Sequence, residues 1–199
     1  MNLRALPDGL RRFVLDAIPP EPWRNAGGWT RTLASAHDDA GVLWRISVAD
    51  IESEGPFSTF AGMDRTAVLL EGAGLMLAGA GEPIRFQSPG DAAAFPGEAQ
   101  MRSRLGRGPA RLLNVMTRRA ASVASVETCP LRCDAPPHGG VMLLLAVAGR
   151  VEVNCAGGTL ELSLDSGEGL ELRGGPPAEN RTGASFDGDG LWLTVSIRS

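Results

Sequence analysis

The chain of 199 residues contains no lysine and no tyrosine, so all 19 of its basic residues are arginines. Together with 23 acidic residues they give a formal net charge of −4 at neutral pH. A protein with this balance has no general electrostatic attraction for nucleic acids or for anionic membranes. The composition therefore predicts neither a nucleic-acid partner nor a membrane partner.

Histidine is almost absent, since only His37 and His138 occur in the whole chain. Two isolated histidines cannot build a metal site of the kind that depends on a histidine cluster. The sequence also lacks the Gly-x-Ser-x-Gly turn of serine hydrolases, a P-loop, and a dinucleotide-binding glycine motif. We therefore predict no metal, no cofactor and no catalytic triad.

Cysteine and long apolar runs are equally scarce. Cys129, Cys133 and Cys155 match no zinc-ligand spacing, and their odd number favours free thiols, with a Cys129–Cys133 disulfide as the alternative. The longest apolar run, Val141–Ala148, is too short for a bilayer span of ~20 residues. The N-terminal segment has no continuous apolar stretch like that of a signal peptide. A cytoplasmic location is the resulting expectation.

Glycine and proline are abundant, at 26 and 14 residues, and they separate short runs of alternating polarity. In residues 43–48, for example, Trp44 and Ile46 share one face of an extended strand, while Arg45 and Ser47 share the other. Windows of 11 or more residues with helical periodicity are interrupted by glycine or proline. Many short strands joined by tight turns predict an all-β protein.

The pattern of turns also predicts how the chain divides. A glycine-turn hairpin followed by a Gly-Glu pair occurs twice, with the pairs at 97–98 and 167–168. This repetition predicts two similar β units, residues 1–120 and residues 121–199, between which strands are free to exchange. Polar residues are scattered in the second unit, so we expect any pocket there to be vestigial.

Polar side chains concentrate among aromatic residues and glycines in the first half of the chain, most densely between Trp44 and Arg65. Arginine binds carboxylates through two parallel hydrogen bonds, which makes such a cluster suitable for a small anion. Salt bridges and turn caps are the structural alternative for each residue. The candidate site residues are Arg65, Arg45, Asn25, Ser47, Ser58, Trp44, Phe57, Arg24, Asp64, Glu71 and Asn114.

Six motifs follow one another in the first 119 residues. They are PWRN at 22–25, WRIS at 44–47, GPFS at 55–58, GMDR at 62–65, LLEG at 69–72 and LNVMTRR at 113–119. Together they resemble the HutD/Ves family, cupin-like proteins associated with bacterial histidine utilisation. The resemblance implies a bicupin fold, two jelly-roll β-barrel units in one chain, with a metal-free pocket in the N-terminal barrel.

The same resemblance implies a ligand-binding role that keeps histidine breakdown within limits. The main hypothesis is therefore a binding protein for a carboxylate intermediate, urocanate or a formyl- or formimino-glutamate, with Arg65 as the principal clamp. Six further side chains complete this hypothesis. Arg45, Ser47, Ser58 and Asn25 orient the ligand, and Trp44 and Phe57 form apolar walls.

Two alternatives remain open from the sequence. The first is a metal-independent enzyme acting on the same acids, with Asp64 or Glu71 as general base and an arginine as electrophilic stabiliser. The second is an interaction module without a ligand, such as a homodimer, in which the turns serve packing. Fold class alone does not separate these functions.

Overall fold

The computed structural model describes residues 10–23, 27–129, 133–134, 141–155, 161–173, 184–188 and 190–198. Within these ranges every regular element is a β-strand except one short 3-10 turn at Leu15–Ala17. Helices long and apolar enough to cross a membrane are absent from the described ranges. The prediction of an all-β protein is confirmed.

The strands vary from two to eighteen residues, and the longest carry the candidate site. In chain order they are β1 (Leu10–Val14), β2 (Glu21–Pro22), β3 (Gly28–Asp38), β4 (Gly41–Ile51), β5 (Gly55–Phe57), β6 (Met63–Ala78), β7 (Ile84–Phe86), β8 (Ala92–Pro96), β9 (Met101–Arg118), β10 (Val123–Cys129), β11 (Cys133–Asp134), β12 (Val141–Ala148), β13 (Arg150–Cys155), β14 (Glu161–Asp165), β15 (Glu168–Arg173), β16 (Ala184–Gly188) and β17 (Leu191–Arg198).

One compact unit comprises residues 18–124 and contains a single antiparallel sheet. The strand order is β2–β3–β4–β9–β6–β7, with β5 paired to β9 and β8 paired to β6. Ala49, Leu112 and Leu69 lie side by side on β4, β9 and β6, and they belong to a buried apolar cluster on one face of the sheet. This row is the apolar floor next to which the candidate site lies.

The second compact unit combines residues 10–17 with residues 125–198. It contains the sheet β1–β15–β12–β17–β10 and the sheet β11–β16–β13–β14. Buried side chains of this unit, including Leu144 and Trp192, form a separate apolar cluster. Each unit therefore has its own core.

The N-terminal strand β1 belongs to the unit that holds the C-terminal strands, an exchange for which the predicted division at residue 120 left room. Strand β1 pairs with β15, and its Arg11 and Arg12 form ion pairs with Glu171 and Glu168 of that strand. Residues 10–17 consequently belong to the unit that contains the C-terminal strands. This pairing joins residues 160 positions apart in the chain, a contact for which local patterning gives no signal.

Candidate functional site

Cross-strand register on β4, β9 and β6 brings the central candidate residues together. Arg45 lies opposite Met116, and Met116 in turn lies opposite Arg65. In the adjacent row Ser47 lies opposite Asn114. Because side chains alternate along a strand, both rows project from the same face as the apolar floor. This face therefore changes from apolar to polar at these two rows.

Arg65 is a buried arginine, only 5% exposed. Its Nη1 donates a hydrogen bond to the Ser58 carbonyl oxygen at 2.9 Å, and its Nη2 donates to Asn114 Oδ1 at 2.6 Å. Its Nε has no hydrogen-bond partner. Among the described residues Arg65 forms no ion pair with a carboxylate, although buried arginines ordinarily require one.

Three phenylalanine rings surround the Arg65 guanidinium. Its central carbon lies 4.5 Å from the ring centroid of Phe57, 5.2 Å from that of Phe95 and 5.3 Å from that of Phe60. Cation–π attraction to these rings offsets part of the cost of burying the charge. Desolvation still lowers the pKa of Arg65 from its ordinary value to about 10.

Arg45 supplies a second guanidinium on the same face. Its Nη2 donates to Thr32 Oγ1 at 2.8 Å, while its Nε has no partner. Among the described residues, three buried side-chain polar atoms lack a partner, and they are the Nε atoms of Arg31, Arg45 and Arg65. Two of these three unpartnered donors therefore belong to the same candidate site.

A cavity of about 50 Å³ is lined by both of these arginines, and we call it the arginine cavity. Among the described residues, no acidic side chain lines it. The polar lining residues are Thr30, Arg45, Ser47, Ser58, Arg65 and Asn114, and the apolar ones are Trp23, Ala49, Phe57, Phe60 and Met116. With two cations and no anion, the arginine cavity is suited to an anionic group that accepts hydrogen bonds.

Trp23 and Thr30 hold one wall of the arginine cavity in place. Trp23 Nε1 donates to Thr30 Oγ1 at 2.7 Å, and the Trp23 ring meets Phe57 edge-to-face with 6.5 Å between centroids. Four lining residues were not among the predicted site residues, namely Trp23, Thr30, Phe60 and Met116. For Trp23 a signal was present, since it directly precedes the selected Arg24 in the PWRN motif.

Six of the eleven predicted site residues line the arginine cavity. They are Arg65, Arg45, Ser47, Ser58, Phe57 and Asn114. Arg24 and Asn25 lie outside the described residues. The remaining three, Trp44, Asp64 and Glu71, do not line the arginine cavity.

Trp44 and Asp64 were wrong as cavity residues. They immediately precede Arg45 and Arg65 in the chain, so strand alternation turns them to the opposite face of the sheet. Trp44 is buried on that face, where it cannot form a wall of the cavity. Asp64 is exposed, and its Oδ1 accepts a hydrogen bond from Arg119 Nε at 2.8 Å.

Glu71 was also wrong as a cavity residue. The register of β6 against β9 shifts between Leu69 and Glu71, which marks a bulge. Beyond it, the exposed Glu71 carboxylate accepts a hydrogen bond from Arg111 Nη1 at 3.0 Å and lines a different groove. Neither Asp64 nor Glu71 can therefore act as a general base on a molecule held in the arginine cavity.

Side chains that could bind a metal ion are dispersed over the part of the chain that the structure describes. There, His, Cys, Asp and Glu side chains do not gather in groups of three or more that could hold a metal ion. His37 is exposed near the end of β3, and His138 lies outside the described residues.

Known proteins similar to this chain support the family resemblance that the six motifs indicate. The family model of HutD matches residues 16–192. An uncharacterized 21.2 kDa protein in the hutC 3′ region of Pseudomonas putida is 36% identical over 141 residues, which are 70% of this chain and 74% of that protein. Protein Ves of Citrobacter koseri is 33% identical over 139 residues, 68% of this chain and 73% of its own length.

Solved structures similar to this chain support a cupin-like fold. HutD from Pseudomonas fluorescens SBW25, solved in a formate condition, superposes with a TM-score of 0.80 at 26% identity and covers 96% of this chain and 100% of its own. A cupin 2 conserved barrel domain protein from Leptotrichia buccalis has a TM-score of 0.59 at 10% identity, covering 94% and 96%. The resemblance inferred from the motifs is thereby confirmed: the chain belongs to the HutD family and has a cupin-like β fold.

Proposed function

We propose that this protein is a bicupin that binds a small carboxylate in the arginine cavity without the help of a metal. One observation carries the proposal: Arg65 is buried with an unpartnered Nε and no acid partner among the described residues. A ligand carboxylate would accept hydrogen bonds from Arg65 and Arg45 and would supply the missing negative charge.

Two other arginines of the same unit illustrate a structural role. Arg111 pairs with Asp50 at 2.7 Å, and Arg119 pairs with Asp64 at 2.8 Å. Moving an unpaired charge out of water costs several kcal/mol by rough estimate, so a fold without a ligand gains nothing from an unpaired buried arginine. The contrast supports a ligand as the partner of Arg65.

The size of the arginine cavity supports a carboxylate group as the part of the ligand that enters it. Its volume of about 50 Å³ exceeds the ~30 Å³ that one water occupies in the liquid but is far below that of a drug-sized site. We propose urocanate, formylglutamate or formiminoglutamate as ligands, with the rest of the molecule passing the half-buried Phe60.

The family suggests what binding is for. A similar protein is encoded in the hutC region of Pseudomonas putida, and another relative is the HutD of Pseudomonas fluorescens. We propose that this chain modulates histidine utilisation in the cytoplasm by sensing an acid of that pathway. Because none of the described residues that line the arginine cavity is acidic, the geometry favours binding over general-base catalysis.

A thermal-shift screen tests the proposal. With EDTA present throughout, we expect one acid among urocanate, formylglutamate, formiminoglutamate and formate to raise the melting temperature. At 100 times its Kd, a ligand adds ~2.7 kcal/mol, which corresponds to roughly 5–10 °C for a chain of this size. The matched neutral control is the amide of the same acid, which should give no shift.

Two outcomes of that screen would count against the proposal. A shift that appears only when EDTA is left out would point to a metal-dependent site. The absence of a shift with every acid would favour the interaction-module alternative, including a homodimer, whose oligomeric state would then be measured by light scattering.

The lowered pKa of Arg65 predicts how binding depends on pH. Below its folded-state pKa of about 10 the guanidinium is charged, so affinity should be constant between about pH 7 and about pH 9. Well above pH 10 it should fall about tenfold per pH unit, as Arg65 loses its proton. Calorimetric titrations at each pH measure this, and an affinity that already falls near pH 8 would assign binding to another group.

The same pKa fixes the sign of the stability effect. The folded-state value lies below the ordinary value for arginine, so charged Arg65 disfavours the folded state at all pH values below about 10. This cost is relieved as the pH rises from about 10 toward the ordinary pKa of arginine. Because the chain has no lysine and no tyrosine, these groups add no titration of their own in that range.

A further inference from the structure

A second recess occurs in the same unit, on the face of the sheet opposite the arginine cavity. Trp29, Asp50 and Arg111 lie side by side in one cross-strand row of β3, β4 and β9. Their chain neighbours Thr30 and Ala49 line the arginine cavity, so alternation places this row on the other face. The row forms part of a groove of about 560 Å³, which we call the tryptophan groove.

The arginines of the tryptophan groove are already occupied by carboxylates. Asp50 accepts hydrogen bonds from Arg31 and from Arg111, the latter at 2.7 Å. Arg111 also reaches Glu71 at 3.0 Å. These arginines are therefore not available to clamp an anion in the way that Arg65 is.

The side chains that line the tryptophan groove include one more acid than arginines. Two arginines and three acids line it, and the third acid is Glu52, which is exposed and forms no ion pair among the described residues. Glu71 also keeps a side chain that is 61% exposed. The groove therefore carries the charge opposite to that of the arginine cavity, and both lie on one sheet.

The wall of the groove is partly aromatic. Trp29 is a large hydrophobic side chain that is 39% exposed, and Pro20, Pro109 and Ala110 belong to the apolar part of the lining. An indole face attracts cations within about 6 Å of its centre. A volume of about 560 Å³ is within the ordinary range of small-molecule sites.

We propose that the tryptophan groove binds a small organic cation with a flat, N–H-bearing group, such as a guanidinium or an imidazolium. The flat cation lies against Trp29 and donates hydrogen bonds to the carboxylate of Glu52, with Glu71 as a second acceptor. Planar N–H donors match a carboxylate bidentately, which a spherical ion does not. The sheet thus presents a site for an anion on one face and a site for a cation on the other.

Methylguanidinium chloride is the probe for this site, and methylurea is its neutral isostere. The indole N–H signal of Trp29, assigned as the one missing in Trp29→Leu, is followed by NMR during each titration. We expect a saturable shift of this signal with methylguanidinium at millimolar concentration and none with methylurea. Glu52→Gln should weaken binding about tenfold or more, because it removes a charged acceptor.

Two control variants make the result specific. Glu82→Gln removes an exposed acid outside the groove and should leave methylguanidinium binding unchanged. Arg65→Met should abolish carboxylate binding without affecting methylguanidinium binding. The proposal for the tryptophan groove and the proposal for the arginine cavity are therefore tested independently. An equal response to methylurea, an unchanged affinity in Glu52→Gln, or no saturable shift would overturn the proposal.

Discussion

Replacing Arg65 with methionine is expected to abolish carboxylate binding while the free energy of unfolding stays within about 1 kcal/mol of the original value. Binding should weaken about 100-fold or more, since one partner of a desolvated charge pair is lost. Methionine is flexible and apolar, and it fits among Phe57, Phe60 and Phe95. Removing a buried, unpaired charge offsets the loss of the hydrogen bonds to Ser58 and Asn114.

Loss of carboxylate binding together with an almost unchanged free energy of unfolding distinguishes a binding arginine from a structural one. Breaking a buried structural ion pair costs about 3–5 kcal/mol, so a structural Arg65 would show a large loss of stability in Arg65→Met. Calorimetric titration and urea unfolding of the same samples measure both quantities. The control is Arg85→Met, an exposed arginine outside the arginine cavity, which should change neither. Carboxylate binding retained by Arg65→Met would refute the assignment.

Gly97→Ala is expected to weaken ligand binding about tenfold and to destabilise the protein by about 1–3 kcal/mol. Gly97 closes the corner at residues 58–63: its carbonyl accepts from the Phe60 N–H at 2.8 Å, and its own N–H donates to the Met63 carbonyl at 2.7 Å. A β-carbon on Gly97 would lie 2.5 Å from the Phe60 carbonyl oxygen. The corner must therefore move, and with it the Ser58 carbonyl that holds Arg65.

The chain offers a matched control for this substitution. A β-carbon on Gly81 would have no heavy atom within 4 Å, so Gly81→Ala should leave affinity and stability unchanged. Affinities from calorimetry and unfolding free energies from urea titration are compared for both variants. If Gly97→Ala bound the ligand as tightly as the original chain, the corner would have no part in holding Arg65.

Much of the site follows from the sequence once strands are assigned. Alternation within residues 43–48 places Arg45 and Ser47 on one face, and in the structure both line the arginine cavity. What alternation does not give is the register of distant strands. That Arg45 and Arg65 flank the same residue, Met116, depends on pairings with a strand some fifty to seventy residues further along the chain.

The errors have identifiable physical causes. Trp44 was expected to form an apolar wall, although alternation within residues 43–48 already placed it on the face opposite Arg45. Asp64 was expected in the same site as Arg65, whereas β6 begins at Met63, so the two side chains project from opposite faces of a strand. Glu71 was misplaced by a bulge in β6, which changes the face without a clear local signal. The unpartnered state of Arg65 could not be predicted at all, since it depends on which acids other arginines engage.

The most direct test of the account is the NMR spectrum of the arginine Nε–H groups during a titration with formate. The Arg65 signal is identified as the one missing in Arg65→Met, and it reports an N–H that is buried and has no partner in the unliganded chain. If the arginine cavity binds carboxylates, this signal shifts saturably and formamide leaves it in place. A signal that stays fixed with formate and with every other acid of the panel would contradict the account.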